Sequence, residues 1–252
     1  MLCEKVNLKG GMSFLDIGCG WGTLVRHAAK QFGAKATGVT LSSEGAAWCR
    51  ERATKDGLST AQCEILNCDY REIPAERQFD AISAVEMAEH VGIANFGLFL
   101  GNVRSMLKDD GIFYMQVAGL RKGSNWQDTQ WGLFMSRWIF PGADASTPLY
   151  WYINQLERAG FEVHSVETVG RHYSHTLHAW YDLWMKNRNK AELSAYSGRL
   201  SRLWEIFLAW STVAAGIGSA TCYQIVAHKN TYEFPRDIFC SKDTAEARRK
   251  ML

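Results

Sequence analysis

The chain has 252 residues, the size of one α/β domain, and its 47% hydrophobic and 21% charged content is globular rather than disordered or fibrous. Twenty-eight Lys and Arg against 26 Asp and Glu leave a net charge of +2, so bulk charge gives no reason to expect a nucleic-acid partner. The seven cysteines (3, 19, 49, 63, 68, 222 and 240) are odd in number and lack CxxC spacing, which argues against a disulfide framework and a metal cluster and for a reducing compartment. Glu4, Lys5 and Asn7 break any signal-peptide pattern, and the longest apolar run, 206–218, is shorter than the roughly 20 residues of a membrane-spanning helix.

The first 120 residues alternate strands and helices. Residues 13–18 read as a strand and 21–32 as a helix. Residues 35–41 follow as a strand, then a helix over 43–55 with Ser43 as its N-cap. Strands at 63–67 and 79–85, a helix at 96–107 and a strand at 111–117 after an Asp-Asp-Gly turn complete the series. Such alternation specifies a parallel sheet covered on both faces. From 120 to 148 the rhythm breaks into Gly, Ser, Asp, three Trp and two prolines, which reads as an inserted cap. A helix at 149–159, a strand at 162–169, helices at 174–190 and 200–215 and a last strand at 220–228 follow. A strand returning after helices suits an antiparallel strand at the edge of the sheet. The expected fold is thus α/β, Rossmann-like, with seven mostly parallel strands, an antiparallel edge strand and a helical cap that binds an apolar ligand. Aromatic residues make up 12% of the chain, with 10 Trp, and they crowd its second half, which predicts a large apolar pocket or surface there. The core domain is expected over 1–230, with 120–148 and 171–218 as cap elements and 231–252 as a polar tail, frayed from Lys242.

Leu15-Asp16-Ile17-Gly18-Cys19-Gly20-Trp21-Gly22 joins the first strand to the first helix. Glycines there let a ligand approach backbone amides closely, and an early Asp suits a ligand carrying an ammonium group. The dinucleotide pattern GxGxxG needs glycine at position 23, where this chain has Thr23.

That loop resembles motif I of the S-adenosylmethionine-dependent methyltransferases. With Gly38-Val39-Thr40-Leu41-Ser42 and Glu89-His90-Val91-Gly92, the chain is similar to the cyclopropane-fatty-acyl-phospholipid synthase group. Four further motifs resemble the fungal-type sphingolipid C9-methyltransferases. They are Asp69-Tyr70-Arg71-Glu72-Ile73-Pro74, Glu86-Met87-Ala88-Glu89-His90-Val91-Gly92, Phe140-Pro141-Gly142-Ala143-Asp144-Ala145-Ser146 and Gly218-Ser219-Ala220-Thr221-Cys222. The resemblance implies S-adenosyl-L-methionine held by Asp16, Gly18, Cys19, Gly20, Trp21 and Gly22 at its methionine end. It places Thr40 and Leu41 along the ribose, and Asp69 and Tyr70 around the adenine. It implies a ceramide or glucosylceramide substrate methylated at C9 of the sphingoid base. An alkene attacks the sulfonium methyl and the resulting cation loses a proton, so carboxylate or aromatic groups are wanted nearby. Glu89 and His90 are the expected catalytic pair, with Tyr173 as a hydrogen-bond donor and bicarbonate as a candidate base held by Glu89 and Tyr173. Gln116 stands where the bacterial synthases place a bicarbonate-binding histidine, and Ser211 where some place a cysteine.

The alternatives are a cyclopropane or methyl-branched fatty-acyl phospholipid synthase, a small-molecule N-methyltransferase, and a cofactor-binding module without turnover. About a dozen residues precede the first strand, where the resembled family carries a longer upstream region with membrane-spanning helices in the sphingolipid branch. The expected location is the cytoplasmic face of a membrane, the endoplasmic reticulum above all. Lys186, Arg188, Lys190, Arg199 and Arg202, with Glu192 among them, are read as a basic rim for an anionic membrane surface.

Overall fold

The computed structural model describes residues 1–74, 76–123, 125–144, 146–190 and 198–239. Seven strands form one sheet: β1 (Ser13–Ile17), β2 (Lys35–Val39), β3 (Cys63–Leu66), β4 (Phe79–Val85), β5 (Leu107–Leu120), β6 (Phe161–Thr168) and β7 (Ala220–Lys229). Their order is β3-β2-β1-β4-β5-β7-β6. Pairings from β3 through β5 are parallel, and β7 is antiparallel to both its neighbours. The one antiparallel strand therefore stands next to the edge, and β6 takes the outermost place. The middle strands β1, β2 and β4 are buried on both faces, as a sheet covered on two sides requires.

The helices are α1 (Leu2–Lys5), α2 (Thr23–Phe32), α3 (Ser43–Lys55), α4 (Phe96–Met106), α5 (Trp126–Phe134), α6 (Leu149–Arg158), α7 (Gly170–Asn187) and α8 (Gly198–Gly216). Two local readings shift. Ser42, not Ser43, caps α3: its backbone is extended and its Oγ accepts from Gly45 N at 2.9 Å. The Asp-Asp-Gly segment does not end a turn but bulges within β5, whose pairing with β4 slips between Phe79 and Ala81.

One core lies under α4 and α6 (Phe99, Leu100, Val103, Tyr152, Leu156) and another under α1 to α3 (Phe14, Val25, Ala28, Cys49, Tyr114). A third sits above the strand ends. Trp131 and Met135 from α5 and the π-helical turn after it meet Leu177 of α7 and Phe207, Leu208 and Ala215 of α8. Leu120 ending β5 and Ala220 opening β7 tie this layer to the sheet. Residues 231–239, expected as part of a polar tail, pack instead on the outer strands. Phe234 is buried and stacks on His228, Phe239 stacks on His164, and Arg236 pairs with Glu162. The segment from Lys242 lies outside the described residues.

Candidate functional site

Strand order reverses between β1 and β4, and open α/β sheets bind ligands at that crevice, beyond the carboxyl ends of the strands. A polar cavity of about 570 Å³ opens there, lined among others by Gly18, Thr40, Leu41, Asp69, Tyr70 and Met87. Gly18 has φ 77 and a Cβ on it would lie 2.6 Å from Met87 Cγ, so only glycine fits. Leu41 is 76% exposed, so it is no core residue but an uncovered apolar surface on the cavity wall. Asp69 caps the short turn Tyr70–Glu72, and the Arg71 guanidinium beside it holds its carboxyl below the usual range. Tyr70 stands edge-on to Phe99 with centroids 5.6 Å apart.

The remaining loop residues have other roles. Asp16 is buried beneath the loop, where its Oδ1 accepts from Ser83 Oγ at 2.6 Å, and burial pushes its carboxyl up to about 7. Gly20 has φ 54, and a Cβ there would meet nothing within 4 Å, so open space faces this part of the loop. Of the loop residues expected to hold the cofactor, Gly18 lines the cavity, and Asp16, Cys19, Gly20, Trp21 and Gly22 are not among its lining residues. The Cys19 thiol packs against Gly38, and Gly22 lies so close to Cys49 that a Cβ would fall 2.5 Å from its Sγ. Trp21 is 61% exposed and meets Trp48 edge-on at 6.1 Å on the outer face of the loop.

A second cavity of about 350 Å³ lies between the sheet and the helical layer. Its walls are apolar, with Trp131, Met135, Phe140, Leu177, Phe207 and Ala215, and its floor carries Glu86, Glu89, Tyr173 and Cys222. Glu86 and His90 border both cavities. Glu89 is buried: its Oε1 accepts from Ala118 N, while its Oε2 has no partner. Burial first, and the neighbouring Glu86 second, push the Glu89 carboxyl up to about 8. Ser211 also lines this cavity, and its Oγ accepts from Trp131 Nε1 at 3.0 Å. Trp180 continues from it into an apolar groove of about 540 Å³ between α7 and α8, lined by Leu183, Trp184, Trp204 and Leu208.

Glu86 is the residue that sequence reasoning passed over as a site member. It follows β4 with φ 54, a backbone uncommon for residues other than glycine. Its Oε1 accepts from Gln116 Nε2 and from Cys222 Sγ, each at 3.1 Å. Tyr173 lies in the same cluster, with Gln116 Nε2 3.2 Å from its hydroxyl. Burial, the Glu86 charge and a hydrogen bond to that carboxylate hold the phenol well above its ordinary value. Gln116, expected at the reacting centre, lines neither cavity and stands behind Glu86 and Tyr173 as their support. Among the described residues no His, Cys, Asp and Glu group could hold a metal ion.

The family model described as mycolic acid cyclopropane synthetase matches residues 1–225. The chain is 51% identical over 231 residues to "sphingolipid C9-methyltransferase 2" of Gibberella zeae, covering 91% of this chain and 44% of that protein. It is 48% identical over 231 residues to "sphingolipid C9-methyltransferase A" of Emericella nidulans, again with 91% and 44% covered. It thus spans less than half the length of these relatives. Among solved structures, a mycolic acid cyclopropane synthase complexed with SAH and CTAB superposes with a TM-score of 0.81 at 22% identity, covering 90% of this chain and 81% of that one.

Proposed function

The chain belongs to the mycolic acid cyclopropane synthetase family, and from that premise we propose that it forms the catalytic part of an S-adenosylmethionine-dependent C-methyltransferase acting on C9 of the sphingoid base of ceramide or glucosylceramide. The observation that carries this reading is the meeting of the two cavities at Glu86 and His90. A polar cavity at the strand switch point opens beside an apolar one with a carboxylate-bearing floor. The likeness to named sphingolipid C9-methyltransferases supports the choice of lipid.

The polar cavity suits S-adenosylmethionine. Gly18 lines it without a Cβ, Leu41 offers an uncovered apolar face, and Asp69 and Tyr70 complete its wall. When bound, S-adenosylmethionine supplies an electrophilic methyl group. The aromatic walls of the second cavity exclude water from the acceptor alkene and present π faces to a developing cation. Segments 120–148 and 171–218 serve as the lipid cap. Exposed Trp126, Leu133, Trp138, Leu183, Ile206, Val213 and Ile217 lie in those segments, an apolar surface suited to a bilayer. The basic rim beside them is narrower than its residues suggest, because Arg188 pairs with Glu205 and Arg199 stacks over Trp138. Glu192 lies outside the described residues, and Lys186, Lys190 and Arg202 carry the rim. The cytoplasmic face of a membrane is the proposed location. Among the described residues no helix is long and apolar enough to cross a membrane.

The test is incubation with methyl-labelled S-adenosylmethionine and an 8-unsaturated ceramide. Label on the long-chain base supports the reading. Label confined to the acyl chains of phospholipids replaces it with an acyl-chain synthase, and calorimetric binding of S-adenosylmethionine without transfer to any lipid replaces it with a binding module.

A further inference from the structure

Resting on the C-methyltransferase reading, we propose that Glu86 is the base of the reaction, an internal carboxylate standing where a bicarbonate ion would otherwise be held.

The hydrogen-bond polarity at Glu86 is fixed from a distance. Lys5 Nζ can only donate, and it donates to Gln224 Oε1 at 2.8 Å. That orients the Gln224 amide so that its Nε2 donates to Gln116 Oε1 at 3.0 Å, where Tyr114 OH also donates at 3.1 Å. Gln116 must then present Nε2 outward, to Glu86 Oε1 and to the Tyr173 hydroxyl. Cys222 Sγ donates to the same Glu86 oxygen. The chain thus builds a cradle of donors around an acceptor, and the acceptor is one of its own side chains.

A bicarbonate ion does not fit beside it. The group expected to hold that ion is Glu89 with Tyr173, and Gln116 replaces the histidine. Gln116 and Tyr173, two of the donors that would hold the ion, are already turned to Glu86. Of these two cavities Glu89 lines the apolar one and not the polar one, with one oxygen tied to Ala118 N, whereas Glu86 borders both, where the reacting carbons must lie. The backbone of Glu86 holds an uncommon φ of 54, and strain of this kind, about 1–3 kcal/mol, persists where the surroundings enforce it. Here Glu86 N is bonded to Gln116 O at 2.9 Å, so the strand that supplies the cradle also fixes the strained backbone.

The balance of the step is simple. The C8=C9 π pair forms the new bond from C9 to the methyl carbon, and the pair of the broken sulfur–methyl bond stays on sulfur. C8 is left electron-deficient. The C9–H bond then breaks, its pair restores C8=C9, and the proton passes to a Glu86 carboxylate oxygen. No other reactant is consumed.

Two variants of the intact protein test this, Glu86→Gln and Glu86→Gly. Glycine suits the φ 54 backbone, so it keeps the test open should Gln disturb the cradle. Glu86→Gln should form the 9-methyl base at least about 100-fold more slowly, the scale for loss of a positioned base. Its affinity for S-adenosylmethionine should fall by less than about tenfold, far less than its turnover. Its affinity for an 8-aza sphingoid base, whose protonated nitrogen mimics the cation at C8, should fall about tenfold, about 1.4 kcal/mol. Glu86→Gly should be inactive alone and recover on addition of formate or bicarbonate, while the parent is indifferent to removal of bicarbonate. A Glu86→Gln variant with more than about a tenth of parental turnover, or a parent that stops without bicarbonate, overturns the role of Glu86. A parent that binds S-adenosylmethionine yet methylates no 8-unsaturated base overturns the function reading itself, and this inference with it.

Discussion

Replacing Glu89 by Gln should make the fold progressively more stable than the parent as pH rises, by an amount the structure sets. The Glu89 carboxyl is buried and titrates at about 8, against 4.5 in the unfolded chain. Between those values the unfolded chain has released a proton that the native protein still holds. The stability this neutral carboxyl contributes is complete below about pH 4.5 and is lost as pH rises through about 8. At about 1.4 kcal/mol per pKa unit, the parent loses on the order of 4–5 kcal/mol across the window. Gln carries no such proton and retains an oxygen for Ala118 N, so its own cost is a constant offset. Asp16, which burial lifts to about 7, is present in both proteins and cancels in the difference. Urea unfolding of both proteins in steps from about pH 4.5 to about pH 9 measures the effect. The difference in unfolding free energy should move toward the variant by on the order of 4 kcal/mol and then flatten. A difference constant to within about 1 kcal/mol over that range would refute the burial-driven shift.

Three other outcomes follow from the same geometry. At neutral pH Glu89→Gln should keep turnover within about tenfold of the parent, since the amide copies a neutral carboxyl; a loss of about 100-fold or more returns Glu89 to proton transfer, as steady-state rates will tell. Gly18→Ala should lower S-adenosylmethionine affinity at least about tenfold, because its Cβ would drive Met87, 2.6 Å away, into the polar cavity, and calorimetry with unchanged affinity ends that assignment. Changing Lys186, Lys190 and Arg202 to Gln should remove most of the salt-sensitive binding to anionic vesicles, at about 1 kcal/mol per cation; sedimentation that finds the variant bound as tightly as the parent at low salt removes the basic rim.

The chain's periodicities settled much of its architecture without tertiary information. Short, mostly apolar runs such as Phe79–Val85, bounded by turn residues and too short for helices, read as strands buried on both faces, and their alternation with helices leaves a parallel sheet as the outcome. The Leu15-Asp16-Ile17-Gly18 loop was legible because a strand, glycines and a helix in that order create a ligand approach wherever they occur. Local sequence did not say which loop residues face inward. Cys19, Trp21 and Gly22 belong to the same motif as Gly18, yet the positive φ values at Gly18, Gly20 and Gly22 turn the chain so that Trp21 meets Trp48 outside. Sequence likewise named Gln116 and Tyr173 but not their common object. Glu86, Gln116, Tyr173 and Cys222 come from the loop after β4, from β5, from α7 and from β7, and only the insertion of β7 beside β5 brings them within hydrogen-bonding distance. Helical and strand spacing report a residue's neighbours along one element, whereas a donor cradle is a property of four elements at once. The raised carboxyl of Glu89 has the same origin, since desolvation depends on what the cap and sheet together exclude from water, and no motif encodes that volume.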